Sequence, residues 1–301
     1  MVWMRLKEMS SGKKRAFLFL AAGALSFGSA SILVKLCAYP TTAIACLRIL
    51  LAGLLLTPLC LPSLRELLRE RGPRGYLSLL VPGLLLGAHF QLWTLGIKQT
   101  TVAGGTLIFS LNPVFFALFA ALAEGKRISL HTALSLALIF LGGVWLIAVS
   151  QARLGRLGDL LCFASMLLFV AYLLVSRRAS RGLPHLTYIH VLYLWGGLLT
   201  LPVLAVGGDF GRLPLGDTGS LLALLGLVLF PTLIGHTSEN YGVRYFSPLT
   251  VSFFTLAEPV LSSLLAAALL REVPDPRVLP AYLLFFSATV LYLATAASAR
   301  D

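Results

Sequence analysis

Ten stretches of this chain are each apolar for about twenty residues, and no other sequence feature limits its fold as much. They lie at about 16–34, 41–61, 75–96, 101–123, 130–150, 157–176, 186–206, 219–241, 247–270 and 279–298. A helix needs about 20 apolar residues to cross the hydrocarbon of a bilayer. Only a helix or a closed barrel satisfies every backbone N–H and C=O there. Hydrophobic residues make up 58% of the 301 and charged residues 12%, against about 25% charged in an ordinary soluble domain. That leaves too little charge to coat a soluble globule. A soluble enzyme, a disordered chain and a secreted disulfide scaffold are excluded on the same ground. The expected fold is an all-α membrane protein of ten transmembrane helices, with no room for a sizeable soluble domain.

The formal net charge of +12 would suit a nucleic-acid partner. Here the basic residues sit in short connections between apolar runs, so no nucleic-acid partner is expected. Their distribution orients the chain instead. Sixteen lie in one set of connections: Arg5, Lys7, Lys13, Lys14, Arg15, Arg65, Arg69, Arg71, Arg74, Lys126, Arg127, Arg177, Arg178, Arg181, Arg244 and Arg300. Seven lie in the other: Lys35, Lys98, Arg153, Arg156, Arg212, Arg271 and Arg277. The richer set is expected in the cytoplasm, with both termini. Residues 1–15 read as a cytoplasmic N-terminal segment and the first run as an uncleaved anchor. The charged segment 62–74 reads as a solvated cytoplasmic linker. Cys37, Cys46, Cys60 and Cys162 form no CxxC pair and read as small apolar side chains.

The chain repeats itself at an offset of 146 residues. Gly96-Ile97-Lys98 aligns with Gly242-Val243-Arg244, Pro113 with Pro259, and Phe115–Ala121 with Leu261–Ala267. The halves, 16–150 and 157–298, hold five spans each. Five is odd, so the two lie in opposite orientations. Two inverted five-helix repeats are a recurring plan of secondary transporters.

Several segments also resemble a known family. Phe27-Gly28-Ser29-Ala30-Ser31-Ile32-Leu33-Val34-Lys35 is similar to the WGSxFxxxK first-helix pattern of the EamA-like transporters, within the drug/metabolite transporter superfamily, with Phe27 in place of Trp. Leu47–Leu56 resembles their second-helix LRFLLAGLLL, and Leu111–Leu118 and Ala257–Leu264 resemble the two copies of an LxPxxxALxA-type helix. The resemblance covers about 16–298. It implies ten spans in two repeats, both termini inside, and transport of small metabolites, often efflux.

Ionisable groups inside spans cost roughly 2.5–3.5 kcal/mol at mid-bilayer on insertion scales, so they mark candidate sites. Glu258 is the deepest. Pro259 has no N–H, which predicts a free carbonyl at Thr255 beside it; Asn112 and Pro113 predict the same at Phe109. Paired helix irregularities at matching positions point to a transport site. Arg48 is expected to pair with Glu258 or to bind a carboxylate substrate. Glu239 reads as a rim acid beside Arg244 or as part of a gate. His89 and His236 stand at nearly equivalent repeat positions and are candidate proton carriers. Trp93, Ser110 and Tyr172 are candidate lining residues, and Gly83-x-x-x-Gly87 a close-packing motif within the bundle.

No P-loop GxxxxGK[ST] and no HExxH occurs, so no catalytic residue, cofactor or metal is expected. The expected function is a secondary transporter in the cell (inner) membrane. It would move small, amino-acid-like metabolites outward by alternating access, as monomer or homodimer, with protons a candidate coupling ion. A lipid-linked or nucleotide-type flippase or exchanger of the same superfamily is the alternative, ahead of an intramembrane enzyme.

Overall fold

The computed structural model describes residues 9–149, 157–207, 209–213, 216–273 and 275–296. The expectations placed on Arg5, Lys7, Arg153, Arg156 and Arg300, and the outermost ends of the fifth and tenth runs, lie outside these residues. Every regular element among them is helical. In chain order they are α1 Ser11–Phe27, α2 Ala30–Leu36, α3 Thr41–Leu77, α4 Leu80–Gln99, α5 Val102–Phe109 and α6 Asn112–Ala123. Then come α7 Leu130–Val149, α8 Leu157–Ala179, α9 His185–Val206, α10 Thr218–Leu227, α11 Thr237–Gly242, α12 Pro248–Phe254, α13 Glu258–Leu270 and α14 Leu279–Ala296. Among the described residues nine segments are long and apolar enough to cross a membrane: α1–α2, α3, α4, α5–α6, α8, α9, α10–α11, α12–α13 and a last one at Pro276–Thr295. The apolar helix α7 packs along α14. Large apolar side chains face outward on many of these helices, among them Leu122 at 78% exposure and Phe286 at 68%, a surface that suits hydrocarbon.

Segment 62–74 differs from the expected linker. It continues α3 as a helix to Leu77, kinked where Gly72 takes φ 60°. The reason is an amphipathic pattern: Leu64 and Leu67 are buried while Arg65, Glu66, Arg69 and Glu70 face outward. A helical spacing of three or four residues lets the leucines pack on one side.

The helices pack closely where glycine removes the side chain. The Gly83/Gly87 face of α4 meets Gly196 and Trp195 of α9. A Cβ on Gly87 would lie 2.7 Å from the Gly196 carbonyl oxygen, and one on Gly83 2.5 Å from the Trp195 Cβ. The motif therefore joins helices within the bundle. Gly87→Val should cost about 1–3 kcal/mol, the range of overpacked cores, and lower the melting temperature of the purified protein. Gly211→Ala, with open space around it, should leave the melting temperature unchanged.

Candidate functional site

Among the described residues four of the crossing segments are interrupted at mid-span, and three of them carry the centre of the bundle. At residues 228–236 the helix widens to π geometry around Pro231. A proline there denies the Leu227 carbonyl the donor it would have four residues on, which the five-residue spacing of the π turn accommodates; the Thr232 hydroxyl also donates to that carbonyl, at 2.7 Å. The neighbouring carbonyls of Phe230 and Thr232 accept from Ser26 at 2.5 Å and Tyr193 at 2.8 Å. The Thr232 carbonyl also accepts the Thr237 N–H, so side chains add to the backbone bonds of the bulge in an apolar interior.

The α5–α6 segment breaks at Ser110 and Leu111. The α12–α13 segment tightens into a 3-10 turn at Thr255–Ala257. These two joints touch: Asn112 Nδ2 donates both to the Phe109 carbonyl at 2.7 Å and to Thr255 Oγ1 at 3.0 Å. The Thr255 carbonyl accepts the Glu258 N–H across the 3-10 turn. The two segments match elsewhere at the same spacing. Thr101 caps α5 through the N–H of Gly104, and Ser247 caps α12 through that of Thr250.

The joints surround a small central pocket. Its walls are Phe27, Ala30, Arg48, His89, Phe90, Trp93, Phe109, Phe169, His236, Glu239, Thr255 and Glu258. The free space is about 20 Å³, room for little more than one water. Arg48 is 1% exposed. Its Nε donates to Thr232 Oγ1 at 3.1 Å, and its guanidinium carbon sits 4.0 Å from the Phe90 ring centre, a cation–π contact that strengthens when water is excluded. His89 Nδ1 lies 3.0 Å from the Ser165 carbonyl and 2.8 Å from its hydroxyl. Since that hydroxyl donates to the His89 carbonyl, Nδ1 is the donor and Nε2 is left as the acceptor. His236 stands 5.7 Å from His89, centre to centre, and its Nδ1 lies 3.3 Å from Glu239 Oε2. Neither Glu239 oxygen has a hydrogen-bond partner among the described residues.

Comparison with known proteins agrees with this architecture. The sequence profile of the EamA-like transporter family matches residues 14–148 and, a second time, 156–294. The chain belongs to the EamA-like transporter family. Among relatives of this transporter, an uncharacterized transporter of Archaeoglobus fulgidus is 27% identical over 265 residues, 88% of each chain. The uncharacterized transporter YyaM of Bacillus subtilis is 23% identical over 59% of this chain and 60% of its own. One crystal structure superimposes with a TM-score of 0.73 over 94% of this chain and 97% of that one, at 20% identity, a likeness of fold. The protein is a multi-pass membrane protein of a transporter family.

Of the residues singled out in the sequence of this transporter, Arg48, His89, Trp93, His236, Glu239, Thr255 and Glu258 meet at the pocket. Three do not line it. Asn112 acts through Thr255; Ser110 bonds its own helix at the Leu107 carbonyl, 2.6 Å; and the Tyr172 hydroxyl accepts from Asn240. The free carbonyls expected at Phe109 and Thr255 are both occupied, by the Asn112 side chain and by the 3-10 turn. Pro113 and Pro259 fall in the first turn of α6 and α13, where a missing N–H costs little. Among the described residues no ion pair within 4 Å joins Arg48 to Glu258, since Thr232 and Phe90 hold the guanidinium. Glu239 is not a rim acid. It is 3% exposed, and Arg244 is turned to the carbonyls of Ser180 and Leu183.

Phe27, Phe90, Phe109 and Phe169 were not anticipated, because single phenylalanines are unremarkable in apolar spans. Phe90 beside His89 and one turn from Trp93, and Phe169 one turn before Tyr172, were the available signals.

The Asn112–Thr255 contact should couple the two joints. In a double-mutant cycle of Asn112→Ala and Thr255→Ala, an interaction of about 0.6 kcal/mol, ordinary for hydrogen bonds between membrane helices, is expected in the melting behaviour of the purified protein. Strict additivity would show the joints to be independent.

Proposed function

We propose that the protein is a secondary transporter that moves small, amino-acid-like metabolites out across the cell (inner) membrane by alternating access, with both termini in the cytoplasm. The observation that carries this reading is the central pocket: one guanidinium and two carboxyls, buried beneath aromatic rings and not paired with one another within 4 Å. A buried charge costs several kcal/mol, so groups left without partners suit a ligand that supplies them. Arg48 would take a substrate carboxylate, and Glu258 an ammonium.

The proposed frame is ten spans, with α7 as the fifth, in two inverted repeats over 16–150 and 157–298. The double match of the family profile and the equivalent caps at Thr101 and Ser247 support an internal duplication. With both acids ionised and both histidines neutral, the pocket carries one more negative than positive charge. A proton is the simplest ion to offset it when the substrate is absent, and Glu239 beside His236 is the proposed place for it.

Reconstitution into liposomes with a metabolite panel, with and without a pH gradient, tests the reading. Saturable flux of at least one amino-acid-like compound is expected. Glu258→Gln, at equal membrane abundance, should lower that flux about tenfold, what a loss of ~1.4 kcal/mol of binding produces. Unchanged flux and pH dependence would remove Glu258 from the mechanism, and no flux for any compound would sink transport itself. A reporter fused to the C-terminus should read cytoplasmic.

A further inference from the structure

The outer surface carries a second feature, separate from the central pocket. Between α6 and α8 runs a groove with Phe119 on one wall and Leu167, Ala171, Leu174 and Val175 on the other. At one end it is pinched off by Phe115 and Phe163, whose rings meet edge to face at 5.7 Å. At the other end stand Arg177, Arg178 and Arg181. From Leu167 to Arg178 is eleven helical steps, about 16 Å at 1.5 Å each. One leaflet of a bilayer's hydrocarbon is half of about 30 Å, so the groove is one leaflet deep.

The charges at its open end are unspent. Among the described residues no carboxylate lies within 4 Å of the three arginine side chains, and they make no side-chain hydrogen bond. The groove's only acid, Glu124, is already paired with Lys126 at 3.3 Å. Arg244, on the adjoining crevice, is committed to backbone carbonyls. Guanidinium groups fit phosphate oxygens bidentately.

We propose that this groove holds one anionic phospholipid, its headgroup among Arg177, Arg178 and Arg181 and one acyl chain along Leu167–Val175. Three uncompensated positive charges favour a headgroup with net negative charge over a zwitterionic one, and the apolar trough requires a chain attached to it. The assignment stands on the outer surface and is independent of what the central pocket carries.

The test uses the full chain purified in detergent, exposed to phosphatidylglycerol or to phosphatidylcholine of the same acyl composition. Native mass spectrometry and melting temperature are read together. Phosphatidylglycerol should be retained as a one-to-one adduct and raise the melting temperature, with about fivefold or greater enrichment over phosphatidylcholine, since one basic residue near an anionic lipid already contributes that ratio. The triple change R177Q/R178Q/R181Q should abolish the preference. Ala171→Trp, which fills the trough and leaves every charge in place, should abolish retention; it keeps the proposal testable if the arginine variant fails to fold. A charge-matched control, K13Q/R65Q/R69Q, should keep both. Equal retention of the two lipids, equal loss in the control, full stabilisation by inorganic phosphate alone, or unaltered retention in Ala171→Trp would each overturn the proposal.

Discussion

Backbone polarity in an apolar medium is the constraint on which the centre of this protein depends. A regular helix satisfies its own N–H and C=O groups, so it offers a ligand nothing but side chains. Here the helices are interrupted at mid-span, and side chains bond to the carbonyls there: Thr232 to Leu227, Ser26 to Phe230, Asn112 to Phe109. Such bonds also tie the joints to other parts of the structure. Ser26 binds α1 to the π segment, Tyr193 binds α9 to it, and Asn112 reaches across to Thr255. The irregular backbone is therefore tied to its neighbours by side chains.

Arg48 shows the same economy. A buried guanidinium is held by a bond to Thr232 and by the face of Phe90, and no carboxylate among the described residues lies within 4 Å of it. Had Glu258 paired with it closely, both charges would be neutralised and the pocket would be chemically silent. Placing threonine and phenylalanine against the cation stabilises it partially and leaves neither acid paired with it within 4 Å, Glu239 lying instead beside His236. The π segment is what makes this possible, because it carries Thr232 at the Arg48 contact, His236 at the pocket wall and, one turn later, Glu239.

Much of this was legible in the sequence. Length and polarity place most of the helical segments to within a few residues, because hydrocarbon leaves so few alternatives; α3, which runs on to Leu77, is the exception. The rarity of in-span ionisable residues points to Arg48, His89, His236, Glu239 and Glu258, and all five meet. The pairing among them was not legible. Whether Arg48 meets Glu258 or Thr232 depends on helix rotation, and apolar spans with low amphipathicity give little periodicity from which to read it. The same limit explains Glu239: counted along the chain it sits near the end of a span beside Arg244, yet the π bulge turns it inward. Segment 62–74 misled in another way. Its charge density suggested a loop, while the two leucines one turn apart already carried the helical period.

The size of the pocket sets the last condition on how such a site can work. About 20 Å³ of space excludes any metabolite larger than a water or so, and the rings around it are already in contact: Phe90 with His236 at 4.9 Å, Phe109 with Phe169 at 4.9 Å, Trp93 with Phe109 at 5.2 Å. Rotating one ring would drive it into another, so on the proposed reading the space would come from moving helices. A continuous helix such as α8, which has no proline, resists bending because its hydrogen-bond ladder runs unbroken. The breaks at Gly28–Ser29, Ser110–Leu111 and Thr255–Ala257 are crossed by shorter bonds such as Leu111 N–H to Ile108 and Glu258 N–H to Thr255. Fewer regular bonds oppose a tilt of half a span there than in a continuous helix. The joints and the pocket share residues, so a tilt at Thr255 or Phe109 changes the walls directly. The features that hold the irregular backbone in place are thus the ones through which the cavity can be enlarged.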